Sequence, residues 1–370
     1  MTAVTPIRMP KWGLSMQEGQ IVEWSKREGE RVSEGEDLVE IETSKITNVY
    51  ESPATGELRR IVAQPGETLP VGALIAVLAE ADITDAAVES FIADFQASFV
   101  PEDADADAGA LRLSTVRDGE RSLRVGRAGP EAGEPVVLIH GYAGDLNSWQ
   151  FNIDALAAKA PVIAIDLPGH GGSSKDVGDG SLASLADAVG QVLSALGVER
   201  AHLVGHSLGA GVAAWLAAER PGLTLSLTLV CPAYLPGIAI SEDFVSGLIG
   251  AQRARELRPC LEMLLADPAA VSRDMIDDML AFKRTDGVEE ALSTLRDRML
   301  SGADAAALQA RLGDLPPTLV IASRGDRIVG APDEALLPPQ LKVAWIEGAG
   351  HLPHLEQPGA FNALLLEAIA

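Results

Sequence analysis

Apolar and glycine positions near the start of the chain recur at a fixed offset. Glu18 to Ile41 aligns without a gap on Thr55 to Leu78, 37 residues later, so that Gly19/Gly56, Gly29/Gly66, Glu30/Glu67 and Gly35/Gly72 coincide. Ile21/Leu58, Val32/Leu69 and Ile41/Leu78 match as apolar pairs. A unit this short cannot bury its own hydrophobic face, so the repeat predicts two half-sheets that close on each other. The link between them, Glu42-Thr43-Ser44-Lys45-Ile46, then becomes a tight exposed turn that carries a lysine.

The pattern changes after residue 79. Val88, Phe91, Ile92, Phe95 and Phe99 follow helical spacing, and residues 84–99 read as a short amphipathic helix. It can pack on a neighbouring domain or dock a partner subunit. Residues 100–109, Val-Pro-Glu-Asp-Ala-Asp-Ala-Asp-Ala-Gly, have no apolar face and repel themselves, which predicts an extended linker. Ten residues at full stretch reach roughly 35 Å.

From about residue 110 to 370, apolar strand-like runs alternate with helical segments, the pattern of an α/β domain with a mostly parallel sheet. Residues 135–139 and 161–165 read as buried strands, and 201–204 as another. The last runs into Gly205-His206-Ser207-Leu208-Gly209 and then a helix, 210–219. A G-x-S-x-G between strand and helix is the setting in which the motif carries meaning, because its glycines permit a strained turn that lifts the serine above the sheet. A serine hydroxyl needs a base, and the base an orienting carboxylate. Strand 318–322 leads to Asp326, and strand 342–346 leads through Gly348-Ala349-Gly350 to His351. Residues 233–310 interrupt the strands with helices, where a cap is expected.

The other candidates divide between chemistry and support. His351 and His354 make an H-x-x-H pattern that Glu356 follows, with no further ligands nearby, so no metal site is expected and His354 reads as a supporting residue near the loop. His140 and Asp166 are read as residues that hold loops by hydrogen bonds, and His206 as an unlikely second base. Arg253, Arg255 and Arg258, followed by Arg273, Lys283 and Arg284, stand out in a chain of net charge -24. They either pair with local carboxylates or form a phosphate patch.

Two stretches carry family resemblances. Met9-Pro10-Lys11-Trp12-Gly13-Leu14-Ser15-Met16-Gln17-Glu18-Gly19 and Glu42-Thr43-Ser44-Lys45 resemble the opening and the lipoylation turn of lipoyl domains from 2-oxo-acid dehydrogenase complexes. Biotinyl domains share that fold but place their lysine between two methionines, whereas Ser44 and Ile46 flank Lys45. The remainder resembles the α/β-hydrolases, through His140-Gly141-Tyr142, Asp166-Leu167-Pro168-Gly169-His170-Gly171-Gly172-Ser173 and the order Ser, Asp, His. These resemblances imply an N-terminal all-β lipoyl domain (1–79), an acidic helix and linker (80–109), and an α/β-hydrolase domain with a helical cap (110–370, cap about 233–310). They imply lipoate on Lys45, Ser207 as nucleophile, His351 as base, Asp326 as its orienter, and an oxyanion hole made by the backbone N–H groups of Tyr142 and Leu208.

Composition narrows the partners. At 370 residues the chain fits two or three domains, and its acidity argues against nucleic acid or an anionic membrane. Cys231 and Cys260 form no disulfide or zinc pattern and read as small buried apolar residues of a reduced interior. No signal peptide or membrane span is evident, so a cytoplasmic protein is expected.

The fusion of a lipoyl domain to an α/β-hydrolase resembles the acyltransferase component of acetoin dehydrogenase complexes. That implies acetyl transfer from S-acetyl-dihydrolipoyl-lysine to coenzyme A, with Arg253, Arg255 and Arg258 as candidate phosphate contacts. It also implies a thiamine-diphosphate-dependent partner that cleaves acetoin and a flavin-dependent dihydrolipoyl dehydrogenase that reoxidises the arm. The H-x-x-x-D-G signature of the usual oxo-acid acyltransferases is absent, which keeps a lipoyl-linked thioesterase and a carrier with a scaffolding hydrolase domain as alternatives. The acidic 80–109 segment lacks the small basic subunit-binding module of such chains, and leaves the oligomeric state open.

Overall fold

The computed structural model describes residues 4–10, 18–42, 47–80, 83–99, 111–119 and 121–370. Residues 11–17, the turn 43–46 with Lys45, and the linker 100–109 lie outside the described residues. The chain falls into two compact units, Met1–Asp107 and Ala108–Ala370.

In the first unit the sequence repeat becomes a structural one. Strands β1 (Val4–Arg8), β2 (Glu18–Trp24), β3 (Arg31–Val32), β4 (Asp37–Glu42), β5 (Thr47–Glu51), β6 (Gly56–Ile61), β7 (Thr68–Pro70) and β8 (Leu74–Ala79) form two four-stranded sheets, ordered β1-β8-β6-β3 and β5-β4-β2-β7. Each half lends its middle strand to the sheet of the other. Repeat-related residues make the same bonds: the Gly29 amide donates to Leu58 O at 2.8 Å, and the Gly66 amide to Ile21 O at 2.7 Å. Glu30 accepts from the Arg27 amide and Glu67 from the Gln64 amide, at 3.0 and 2.8 Å. Both Gly29 and Gly66 have φ +89°, a conformation that costs a side-chain-bearing residue energy and explains the paired glycines. Ile7, Met9, Ile21, Leu38, Ile41, Leu58, Ile75 and Leu78 fill the space between the sheets.

Helix α1 (Asp85–Ser98) belongs to this unit. Thr84 caps its start, with Oγ1 accepting from the Ala87 amide at 3.3 Å. Its apolar face lies on β8 and β6, where Val88 and Ile92 are buried with Val4, Leu74, Val77 and Ala79. Arg59 pairs with Asp85, and Arg60 with Glu89. The helix thus packs on its own unit, with Val88 and Ile92 buried and Phe91 and Phe95 partly so.

The second unit is built on an eight-stranded sheet: β9 (Arg112–Asp118), β10 (Arg121–Ala128), β11 (Val136–Ile139), β12 (Val162–Ile165), β13 (Ala201–His206), β14 (Thr224–Val230), β15 (Thr318–Ala322) and β16 (Leu341–Trp345), in the order β16-β15-β14-β13-β11-β12-β10-β9. From β12 to β16 neighbouring strands run parallel, while β10 pairs antiparallel with both β12 and β9. Val136–Ile139 and Val162–Ile165 are buried throughout, as continuous apolar runs in a covered parallel sheet should be. The chain leaves β11 towards β12 on one side and returns as β13 on the other. Open α/β sheets bind ligands at the carboxyl ends of the strands where such a reversal occurs, here β11 and β13.

Helices α2 (Ile153–Ala157), α3 (Leu182–Ala195) and α4 (Leu208–Glu219) follow β11, β12 and β13. Between β14 and β15 come α5 (Glu242–Gly250), α6 (Ala254–Glu262), α7 (Arg273–Lys283), α8 (Val288–Leu300) and α9 (Ala303–Gln309). Asp304, buried at the start of α9, ties this insertion to the body: it accepts from the Leu182 amide at 3.2 Å and from Arg298 at 2.7 and 3.1 Å. The chain ends in α10 (Pro353–Glu356) and α11 (Pro358–Ala368).

Candidate active site

Ser207 stands at the turn between β13 and α4 with φ +54° and ψ -113°, a backbone conformation that L residues rarely hold. The surroundings over-determine it. The Ser207 amide donates to Val230 O at 2.9 Å, and Ser207 O receives the Ala210 amide at 3.1 Å. Each motif glycine has a steric reason: a Cβ on Gly205 would lie 2.2 Å from Gly209 O, and one on Gly209 would lie 2.3 Å from His140 O. The strained turn therefore exists because the chain can close so tightly around it.

His351 and Asp326 arrive from the ends of β16 and β15. His351 Nδ1 donates to Asp326 Oδ2 at 2.8 Å, with both side chains buried. Asp326 Oδ1 accepts the amides of Ile328 and Val329 at 2.8 and 3.1 Å. Burial opposes its charge, but His351 and these amides outweigh it and hold the carboxyl below its usual range. With Nδ1 protonated by this partnership, Nε2 of a neutral His351 is left as an acceptor. The loop that carries His351 is fixed from several sides: its amide donates to Leu264 O at 2.7 Å, and Glu356 accepts from the amides of Gly350, Leu352 and Ala266. Glu356 is thus a brace for this loop.

The loop after β11 closes the other wall. A Cβ on Gly141 would come within 3.1 Å of Ser207 Cβ, so residue 142 follows directly on the contact with the elbow. Leu208 is the first residue of α4, and its amide has no acceptor within the helix. The Tyr142 hydroxyl donates to Leu292 O at 2.9 Å, which anchors the loop to α8 of the insertion. His140 Nδ1 lies 2.7 Å from Gly141 O, and Nε2 accepts the Leu167 amide at 3.0 Å. Asp166 takes the amides of Leu146 and Gly172, at 2.8 and 2.7 Å, and the Arg124 guanidinium. Both residues hold loops, as their positions in the sequence suggested. His206 donates Nε2–H to His351 O at 2.8 Å; burial and the neighbouring rings of His351 and His354 push its pKa well down.

Lys45 lies outside the described residues. The strands that flank it are paired, β4 with β5, down to Glu42 opposite Thr47, so four residues connect them. The three arginines of the α6 segment have different surroundings. Arg258 donates to Val271 O at 3.1 Å, Arg255 lies 3.8 Å from Glu256, and Arg253 is exposed at the start of the helix. Lys283 donates to the carbonyls of Leu248, Ile249 and Ala251, closing the end of α5.

One neighbour of the site had no signal in hydrophobic patterning. Cys231, read from sequence as an apolar filler, is buried as expected, but its sulfur lies against the Asp326 carboxylate. The thiol, an Asp326 oxygen and a His351 ring nitrogen all fall within 4.8 Å of one another. Its position could have pointed to it, since Cys231 directly follows β14 at the carboxyl edge of the sheet.

Comparison with known proteins agrees with both halves. Residues 134–358 match the alpha/beta hydrolase fold family, and residues 5–78 match the biotin/lipoyl family described as "Biotin-requiring enzyme". The chain is 41% identical to the dihydrolipoyllysine-residue acetyltransferase component of the acetoin cleaving system of Cupriavidus necator, over 98% of this chain and 96% of the relative. It is 40% identical to the protein of the same description from Pseudomonas putida, over 99% and 98%. A meta-cleavage product hydrolase from Pseudomonas fluorescens has the fold of the second unit, with a TM-score of 0.63 at 23% identity over 69% of this chain and 96% of that one. The chain belongs to the family of dihydrolipoyllysine-residue acetyltransferase components of acetoin cleaving systems, and its second unit to the alpha/beta hydrolase fold family.

Proposed function

We propose that this chain transfers an acetyl group from S-acetyl-dihydrolipoyl-lysine at Lys45 to coenzyme A, through an acyl-serine on Ser207. The supporting observation is the His351–Asp326 bond of 2.8 Å in a sheet whose β13–α4 turn carries the strained Ser207, in a chain that also carries a lipoyl domain. Lipoate, amide-linked to Lys45, would supply the acyl thioester. Strand β4 ends at Glu42 and β5 begins at Thr47, so Lys45 belongs to the four residues between paired strands, which supports the reading.

Ser207 Oγ attacks the thioester carbonyl as its proton passes to His351 Nε2. Asp326 keeps Nδ1–H in place and stabilises the imidazolium. Negative charge on the carbonyl oxygen falls to the amides of Leu208 and Tyr142, the first of them favoured by the positive end of α4. The C–S bond breaks, His351 returns the proton to the leaving sulfur, and the acyl group remains on Ser207. In the second half His351 takes the proton of the coenzyme A thiol, whose sulfur attacks the acyl-serine; the ester C–O bond then breaks and His351 returns the proton to Ser207 Oγ. The exposed Arg253 and Arg255 of α6 are the side chains we assign to its phosphates; Arg258 is engaged with Val271 O.

The family places the chain in an acetoin cleaving system, and therefore beside other subunits. We assign these as a thiamine-diphosphate-dependent acetoin-cleaving enzyme and a flavin-dependent dihydrolipoyl dehydrogenase, in the cytoplasm. Among the described residues no helix is long and apolar enough to cross a membrane. The test supplies acetylated lipoyl protein with coenzyme A and measures acetyl-coenzyme A against free acetate. Acetyl-coenzyme A formation that Ser207→Ala abolishes supports the reading. Release of acetate alone makes the chain a thioesterase, and transfer unchanged by Ser207→Ala makes the hydrolase unit a scaffold.

A further inference from the structure

Cys231 is the one buried thiol that touches the charged machinery of the site. It is a non-glycine residue at φ +39°, held there by its neighbours. Its own amide donates to Ile321 O at 2.8 Å, and the carbonyl before it, Val230 O, takes the Ser207 amide at 2.9 Å. The backbone of β14, β15 and the elbow thus aims this side chain, and it is aimed at Asp326. The carboxylate has about four acceptor positions. Three are taken by Ile328 N, Val329 N and His351 Nδ1. The thiol sulfur lies within 4.8 Å of an Asp326 oxygen and of a His351 ring nitrogen, with all three side chains buried. Burial, then the nearby charge of Asp326, push the thiol's pKa far up, so it keeps its proton and stays a donor.

We propose that Cys231 is a positioning residue of this active site: its S–H donates to Asp326 and fixes the carboxylate that orients His351. The inference rests on the reading of Ser207, His351 and Asp326 as a catalytic triad. A hydrophobic filler at this position would leave the fourth acceptor site of a buried carboxylate empty. The left-handed backbone at Cys231 would then have no purpose that a glycine could not serve better.

The infrared S–H stretch tests the contact without reference to activity. In the full-length chain carrying Cys260→Ala, with the lipoyl arm kept as its disulfide, Cys231 is the sole thiol. Its band should lie below that of Cys260, whose sulfur reaches only the Glu256 carbonyl at 3.9 Å, and should rise when Asp326→Ala removes the acceptor. A band that Asp326→Ala leaves in place overturns the proposal. Kinetics test the role: Cys231→Ala should lower kcat for acetyl transfer about tenfold with KM unchanged, the loss expected for one hydrogen bond to a charged group. Cys231→Ser, which keeps a donor, should restore most of it. Equal loss in both variants would mean packing alone and would refute the role. If Ser207→Ala leaves transfer intact, the triad reading fails while the infrared result still stands or falls by itself.

Discussion

Asp326→Asn separates orientation and charge from packing, because the amide has the shape of the carboxylate it replaces. The structure decides how it would sit. Two backbone donors, Ile328 N and Val329 N, converge on Oδ1 at 2.8 and 3.1 Å. Turning the NH2 group towards them would lose two hydrogen bonds, each worth about 1 kcal/mol, and set donors against donors. The asparagine therefore keeps its oxygen on those amides and presents NH2 to His351. His351 Nδ1 must then accept, which moves the ring proton to Nε2 and removes the base that Ser207 needs. The imidazolium also loses its counter-charge. Centres about 4 Å apart at an effective dielectric near 20 interact by about 4 kcal/mol, or three decades of rate. We expect kcat for acetyl transfer to fall by about 10³ to 10⁴, in line with the same change in other serine triads. The assay is acetyl-coenzyme A formation from acetylated lipoyl protein, with circular dichroism to establish that the fold is kept. A folded Asp326→Asn enzyme that retains a tenth of its activity would refute the assignment of Asp326.

Three further outcomes bear on the fold and its pH dependence. Gly29→Ala and Gly66→Ala each place a Cβ in open space at φ +89°, so both should cost about 1–2 kcal/mol of backbone strain in the first unit; a large inequality in their denaturation midpoints would break the symmetry argument. Asp166 is fully buried under three donors, and Asp166→Asn turns an NH2 on one of them, so the urea midpoint should fall by the equivalent of about 3–5 kcal/mol. His354 is buried without a hydrogen-bond partner on either ring nitrogen among the described residues, and burial, followed by the charge of His351, lowers its pKa from 6.5 to about 3. The unfolded chain takes up this proton first as pH falls. Its contribution to stability is therefore complete above pH 6.5 and declines between 6.5 and about 3, at up to about 1.4 kcal/mol per pH unit. Urea midpoints at pH 7.5 and 5 measure this, and a His354→Phe variant whose acid decline equals the parent's would sink the claim.

Much of this was legible because the chain repeats physical necessities. Gly29/Gly66 and Gly35/Gly72 mark positive-φ turns at the same places in two halves, with φ +89° in the first pair and +81° in the second. Apolar runs such as 136–139 and 162–165 announced strands buried on both faces. Gly205 and Gly209 announced the elbow, since no other residue could let strand and helix approach so closely. Helix boundaries shifted by a residue or two: the turn at Ser207 hands over directly to α4 at Leu208, two residues before the start expected from apolar periodicity. That helix is buried from Leu208 to Ala217 and has no polar stripe to mark its start.

What the sequence could not supply were contacts between residues far apart in the chain with no shared period. The arginines of α6 look like a patch when counted along the chain. In the structure Arg253 stands before the helix in extended backbone, Arg255 lies beside Glu256 and Arg258 meets Val271 O. The closure of α5 by Lys283, 33 residues after Gly250, is of the same kind. Cys231 is the sharpest case. A cysteine after an apolar strand is statistically a core residue, and its solvent exposure agrees. Only the sheet order, which sets β14 between β13 and β15, brings that strand end between the nucleophile's turn and the acid's turn. The same topology that sets Asp326 against His351 sets Cys231 beside both. A residue at the carboxyl end of a parallel strand flanked by catalytic strands should therefore be weighed as part of the site before it is assigned to the core.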